Sequence, residues 1–119
     1  MQKKIHYAII FVSDMKRAVE FYRDVLGLPL RFESPGWTEF DTEGTTLALH
    51  PAGENPAGSC RLGFHVENLD AFHQAMEAKG VRCLQPPQQQ FGVRLAQYVD
   101  TDGLPFSVAE TATSTWDSR

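Results

Sequence analysis

His50, His65 and Glu39 bring two imidazoles and a carboxylate to this 119-residue chain. Such a set suits zinc, nickel, iron or manganese. The same imidazoles, joined by the Tyr7 phenol, are also groups that take and return protons near neutrality. A third use is plainer: polar lining, hydrogen-bonded to Tyr7, Glu39 or water. Arg61 is a planar fork for a carboxylate or phosphate, or else the partner of Glu39 or Glu110 in a salt bridge. Phe11, Trp37 and Tyr98 carry faces that stack on a flat ligand. Arg94, close to the Phe91-Gly92 pair, is expected at the mouth of a cavity, and Ser107 adds a hydroxyl. His73 is expected on the solvent side of a helix. Nucleophilic and phosphate chemistries find no support: there is no Gly-rich phosphate loop, no G-x-S-x-G and no H-E-x-x-H.

These residues need elements to position them, and Tyr7 to Leu28 supplies the pattern. Tyr7 to Val12 is an apolar run of six, long enough for a buried strand and too short for a buried helix. Ser13 or Asp14 then offers an N-cap oxygen, Met15, Val19, Tyr22 and Leu26 form an apolar stripe, and Gly27 ends the helix. The pattern recurs 54 residues later, where Val66, Asn68 and Leu69 take the places of Val12, Asp14 and Met15, and Gly80 closes the helix. DTEG at Asp41 to Gly44 likewise recurs as DTDG at Asp100 to Gly103. The chain therefore reads as two βαβββ modules, one at about 5–50 and one at about 60–110.

Between the modules, Pro51 to Ser59 holds two prolines and two glycines and reads as a linker. Gln85 to Gly92, QPPQQQFG, reads as an irregular loop suited to moving over a ligand. The tail 111–119 is small and polar apart from Trp116, and is expected to be loose unless Trp116 docks on a partner chain. With 42% hydrophobic residues, 119 residues are expected to form one domain, 1–119. The formal charge of -4, with no basic run, argues against nucleic acid. No apolar run approaches the ~18 residues of a membrane span, and nothing resembles a signal peptide, so a cytoplasmic location is expected. Cys60 and Cys83 lack metal-type spacing and are expected to be reduced thiols.

Strand alternation separates two faces. If each helix packs on its own strands, Ala8, Ile10, Val12, Leu47 and Leu49 face the first helix, and Leu62, Phe64, Val66, Phe106 and Val108 the second. Tyr7, Phe11, His50, Arg61, His65 and Ser107 then share the helix-free face. The third strand of each module depends on turn type, which leaves Trp37, Glu39 and Tyr98 less constrained.

The V-x-D-x-x-x-A-x-x-F-Y-x-x-x-L-G pattern at Val12 to Gly27, F-x-V-x-x-L-D at Phe64 to Asp70 and D-x-D-G at Asp100 to Gly103 resemble the vicinal oxygen chelate superfamily. This group includes glyoxalase I, bleomycin and fosfomycin resistance proteins and extradiol dioxygenases. The resemblance implies an α+β fold in which two tandem βαβββ modules form a curved mixed sheet around a concave cavity, helices outside. It also implies pairing of modules within or between chains, hence a homodimer, and four metal-ligand positions. Those positions fall on Tyr7, Ala48, Arg61 and Ser107, which are not a usual ligand set, and the fixed charge of Arg61 repels a cation.

The resemblance thus implies a protein that binds or transforms a small organic molecule without the usual metal, using His50, His65 and Tyr7 as acid and base groups. Phe11, Trp37, Glu39, Arg61, Arg94, Tyr98 and Ser107 would contact the ligand. The alternative is a glyoxalase-type lyase or isomerase with one divalent transition metal (Zn, Ni, Fe or Mn) at His50, His65 and Glu39. An extradiol dioxygenase is a third reading.

Overall fold

The computed structural model describes residues 4–90 and 92–111. They form eight strands and two helical segments, an α+β fold as expected. The chain divides into two compact units, Ile5–Leu62 and a second beginning at Gly63.

The first unit contains β1 (Tyr7–Val12), α1 (Met15–Glu20), β2 (Leu30–Phe32), β3 (Thr38–Phe40), β4 (Thr46–Pro51) and the start of β5 (Cys60–Val66). Asp14, not Ser13, caps α1, its Oδ1 accepting from Arg17 N at 3.1 Å. The helix then widens into a π-helical turn, Phe21–Val25, closed by Leu26 N donating to Phe21 O. Gly27 follows at φ +76°, a left-handed conformation that favours glycine. Hydrogen-bonded order is β2-β3-β4-β1. β1 and β4 are parallel, pairing Tyr7 with Thr46 and Phe11 with His50, while β3 and β4 are antiparallel, pairing Glu39 with Ala48. The core under α1 is Val19, Phe40 and Leu49, packed with Ile10, Val12 and Leu47. The stretch 51–59 folds back onto β1: Ala52 N donates to Val12 O, Gly58 N to Phe11 O, and Phe11 N to Ser59 O.

The second unit holds the rest of β5, then α2 (Leu69–Ala78), β6 (Cys83–Gln90), β7 (Val93–Val99) and β8 (Pro105–Glu110), in the order β5-β8-β7-β6. Asn68 caps α2 as Asp14 caps α1, accepting from Ala71 N at 3.0 Å. Val66, Leu69, Ala96, Tyr98 and Val108 form the buried core, with Phe72, Met76 and Phe106 around it.

One expectation is overturned here. Gln85 to Gln90 is not an irregular loop but part of β6, antiparallel to β7. Pro86 and Pro87 fit because β6 is the last strand in the order and its register shifts between Cys83 and Gln85 and again between Gln85 and Gln88. A terminal strand needs ladder hydrogen bonds on one side only, and a bulge removes the need for the missing donors. Phe91 and Trp116 lie outside the described residues.

Candidate functional site

The strands of the first unit sort its side chains as alternation requires. Ile10, Val12, Phe40, Leu47 and Leu49 pack toward α1, so Tyr7, Phe11, Glu39 and His50 occupy the opposite face. Trp37 joins them from the end of the β2–β3 turn. Four rings form a connected row in which each contact is edge-on: Tyr7 to Trp37 with centroids 5.9 Å apart, Trp37 to His50 at 6.2 Å, and His50 to Phe11 at 5.5 Å. Edge-to-face contacts of this kind hold rings in fixed orientations. The Arg61 guanidinium lies over the Phe11 ring, 5.3 Å from its centroid, and extends the row with a cation.

Glu39 anchors the other end. Its Oε2 accepts from Trp37 Nε1 at 2.7 Å, and its Oε1 accepts from Arg31 at 3.4 Å. The Tyr7 phenol lies close enough to this carboxylate to feel its charge. Arg31 is held in turn by Thr46 Oγ1 at 2.9 Å and by Asp41 at 3.6 Å. Nothing in the sequence singles out Arg31, because a three-residue strand is too short for alternation to assign its face. Burial, then the charge of Glu39, push the Tyr7 phenol above its ordinary value, with Arg31 pulling the other way. Tyr7 therefore keeps its proton through neutral pH. Burial lowers the Arg61 guanidinium from its ordinary value, but arginine remains a cation throughout. The His50 ring is oriented by Nδ1, which lies 2.7 Å from the Pro51 carbonyl oxygen. A carbonyl only accepts, so Nδ1 carries the proton and Nε2 has the lone pair in the neutral ring.

Two expectations in the second unit are corrected. Tyr98 does not line a ligand face: it is fully buried beneath α2, its ring 5.7 Å from Phe72 and its hydroxyl 2.9 Å from His73 Nδ1. Arg94 is not at a cavity mouth: it forms a two-bond pair with Asp70 in the first turn of α2, at 2.9 and 3.2 Å, with Glu110 at 3.6 Å. His73, expected to face solvent, has a side chain only 17% exposed and bonded to Tyr98.

The reason is a one-residue difference between the hairpins. Phe40 pairs with Leu47 across six residues, 41–46, whereas Tyr98 pairs with Phe106 across seven, 99–105. One extra turn residue reverses the face of every residue on the incoming strand. The residue in register with Ser107 is accordingly Gln97, which sequence reasoning missed. His65, Gln97 and Ser107 are half-buried on the strand faces that alternate with the α2 core.

The alternative of a metal at His50, His65 and Glu39 is not matched by the donors. Among the described residues no group of three or more His, Cys, Asp or Glu side chains is gathered for an ion. Glu39 already receives an indole and a guanidinium, and the nearby cation Arg31 opposes a second positive charge. The residues do not fit a metal at these positions. A groove of about 350 Å³, lined by Met15, Lys16, Glu33, Ser34 and Pro35, opens at the start of α1 and contains none of the ring row.

Residues 4–108 match the family model of the Glyoxalase/Bleomycin resistance protein/Dioxygenase superfamily. The chain belongs to this superfamily. The chain is 30% identical over 111 residues to the uncharacterized protein YraH of Bacillus subtilis strain 168, covering 78% of this chain and 87% of YraH. Among solved structures, the hypothetical protein BH1468 of Bacillus halodurans C-125 superposes with a TM-score of 0.79 at 15% identity, covering 97% of this chain and 99% of that one. Methylmalonyl-CoA epimerase from Mycobacterium tuberculosis superposes with a TM-score of 0.75 at 19% identity, covering 98% and 92%. At such identities the superpositions establish a shared fold, and the chemistry must be read from the site.

Proposed function

We propose that this superfamily member binds a small organic molecule on the helix-free face of its first unit and moves a proton on it with side chains alone. The observation that carries the reading is the row Tyr7, Trp37, His50 and Phe11, flanked by the carboxylate of Glu39 and the guanidinium of Arg61. Rings held edge to face give a flat ligand fixed walls without further ordering, which lowers the entropic cost of binding. His50 supplies the base through Nε2, because its Nδ1 is committed to Pro51. Tyr7 supplies the acid, because burial and the charge of Glu39 keep the proton on it at neutral pH. Phe11, Trp37 and Arg61 hold the ligand, and Glu39 fixes the Trp37 indole. No step is routed through a metal.

The test is a panel of small organic acids, ketones and aromatic compounds, screened by thermal shift against the full chain and then followed in D2O by NMR. Compounds that raise Tm in the wild type should lose that effect in Trp37→Leu. At least one should gain deuterium in the wild type and not in His50→Gln, with binding retained in that variant. Hits that bind Trp37→Leu equally well would contradict the assignment of the face. Deuterium uptake unchanged in His50→Gln would contradict the role of the imidazole.

A further inference from the structure

One residue of β2 ties the strands under the ring row together. β2 pairs Leu30 with Phe40 and Phe32 with Glu39, and its register shifts between the two, so Arg31 is the extra residue of a bulge. A bulge re-aims the side chain it carries. Here the guanidinium crosses β3. Its Nη1 donates to Thr46 Oγ1 on β4 at 2.9 Å and to Glu39 Oε1 on β3 at 3.4 Å, and its Nη2 lies 3.6 Å from Asp41. A side chain from the first strand in the order β2-β3-β4-β1 thus joins three strands.

This tether fixes the carboxylate that in turn fixes Trp37. Glu39 has one oxygen on the Arg31 guanidinium and the other on the Trp37 indole at 2.7 Å. Arg31 therefore sets the carboxylate plane, and Glu39 passes that setting to the indole. Thr46, buried in the sheet, anchors the guanidinium from behind. The same contacts match a charge. Aromatic faces are where proteins hold organic cations, and a carboxylate among them strengthens the attraction. On this face the chain supplies the cation itself, because Arg31 lies against both Glu39 and Asp41. An incoming ammonium meets a carboxylate already matched and a guanidinium of like sign beside it. The Tyr7 phenol registers the same charge: burial and Glu39 raise it, and Arg31 draws it back.

Building on the proposed function, we propose that Arg31 is a positioning and specificity-determining residue of the ring row: it holds Glu39 on the Trp37 indole, and it makes the face prefer uncharged planar molecules over organic cations.

The test compares the full chain with its variants Arg31→Gln, Arg31→Lys and Thr46→Val. The first readout needs no ligand: it is the Nε1–H signal of Trp37 in the 15N-labelled chain, identified by its loss in Trp37→Leu. Arg31→Gln should move this signal toward that of a free indole and speed its exchange with solvent. Thr46→Val, which keeps the charge and removes one anchor, should move it less. The second readout is titration with benzyl alcohol and benzylamine, at up to millimolar concentration and neutral pH, where the amine is a cation. The wild type should bind the alcohol at least as tightly as the amine. Arg31→Gln should raise the affinity for the amine relative to the alcohol by about threefold, a modest factor because the Arg31 side chain is 44% exposed and its charge is partly screened. Arg31→Lys restores the charge and should restore the wild-type preference, which a merely structural residue would not do. Circular dichroism of each variant checks folding. If Arg31→Gln does not fold, the indole signal of Thr46→Val and the wild-type preference decide the two parts. An indole signal unchanged in Arg31→Gln, or in Thr46→Val where that variant decides, would overturn the positioning role. Benzylamine binding tighter than benzyl alcohol in the wild type, or a ratio unchanged in Arg31→Gln, would overturn the selection against cations. Binding of neither compound to any variant would overturn that selection together with the binding reading of the face, while the indole signal still decides the positioning role.

Discussion

Two tyrosines on different sides of their strands meet different fates, and both can be read by titration. Tyr98 is fully buried, and burial first, then the negative charge of Cys83 and Glu77, push its phenol up to about 12. Tyr7 is raised above its ordinary value by burial and by Glu39. Absorbance titration of the chain's three tyrosines should therefore show one ionising near 12 and a second above 10. In Glu39→Gln the Tyr7 phenol should fall, because the negative charge that opposes its ionisation is gone. All three tyrosines ionising together near 10 would contradict both placements. The sign for stability follows from proton counting. The unfolded chain releases the Tyr98 proton near its ordinary value of 10 while the folded chain keeps it to about 12. Stability tied to Tyr98 is thus complete below pH 10 and is lost as pH rises toward 12. At neutral pH, Tyr98→Phe removes the bond to His73 Nδ1 and should cost about 1 kcal/mol in urea denaturation. No change in the denaturation midpoint would contradict a stabilising role for that bond.

Caps and turns decide how much of this was legible before the fold was known. Both helix starts were, because Asp14 and Asn68 stand just ahead of amphipathic runs and a side-chain oxygen there has orphan N–H groups to satisfy. Asn68→Ala should cost about 1 kcal/mol of stability, whereas Asn68→Asp should cost much less. Equal stability of Asn68→Ala and wild type would contradict the cap. The faces of β1 and β4 were also legible, because Ile10, Val12, Leu47 and Leu49 alternate with Phe11, Ala48 and His50. β7 was not. The D-T-acid-G repeat conceals a hairpin one residue longer in the second unit, which turns Tyr98 toward α2 and puts Gln97 in register with Ser107, while closeness to Phe91-Gly92 is no guide to the pairing of Arg94 with Asp70. β6 was misread for a related reason: two prolines argue against a central strand but not against a terminal, bulged one. Arg31 escaped because β2 is only three residues long, too short for alternation to speak.

At the scale of the molecule, the superfamily is established over 4–108 and the fold by superposition, yet neither names a reaction. Among the described residues no helix is long and apolar enough to cross a membrane. The proposed binding of small organic molecules is local to the ring row of the first unit. The most direct test is to record amide chemical-shift changes across the 15N-labelled chain while titrating compounds selected by thermal shift. The shifts should centre on Tyr7, Phe11, Trp37, Glu39, His50 and Arg61. Shifts centred instead on the groove of Met15, Lys16, Glu33, Ser34 and Pro35, or on Asp70 and Arg94, would contradict it.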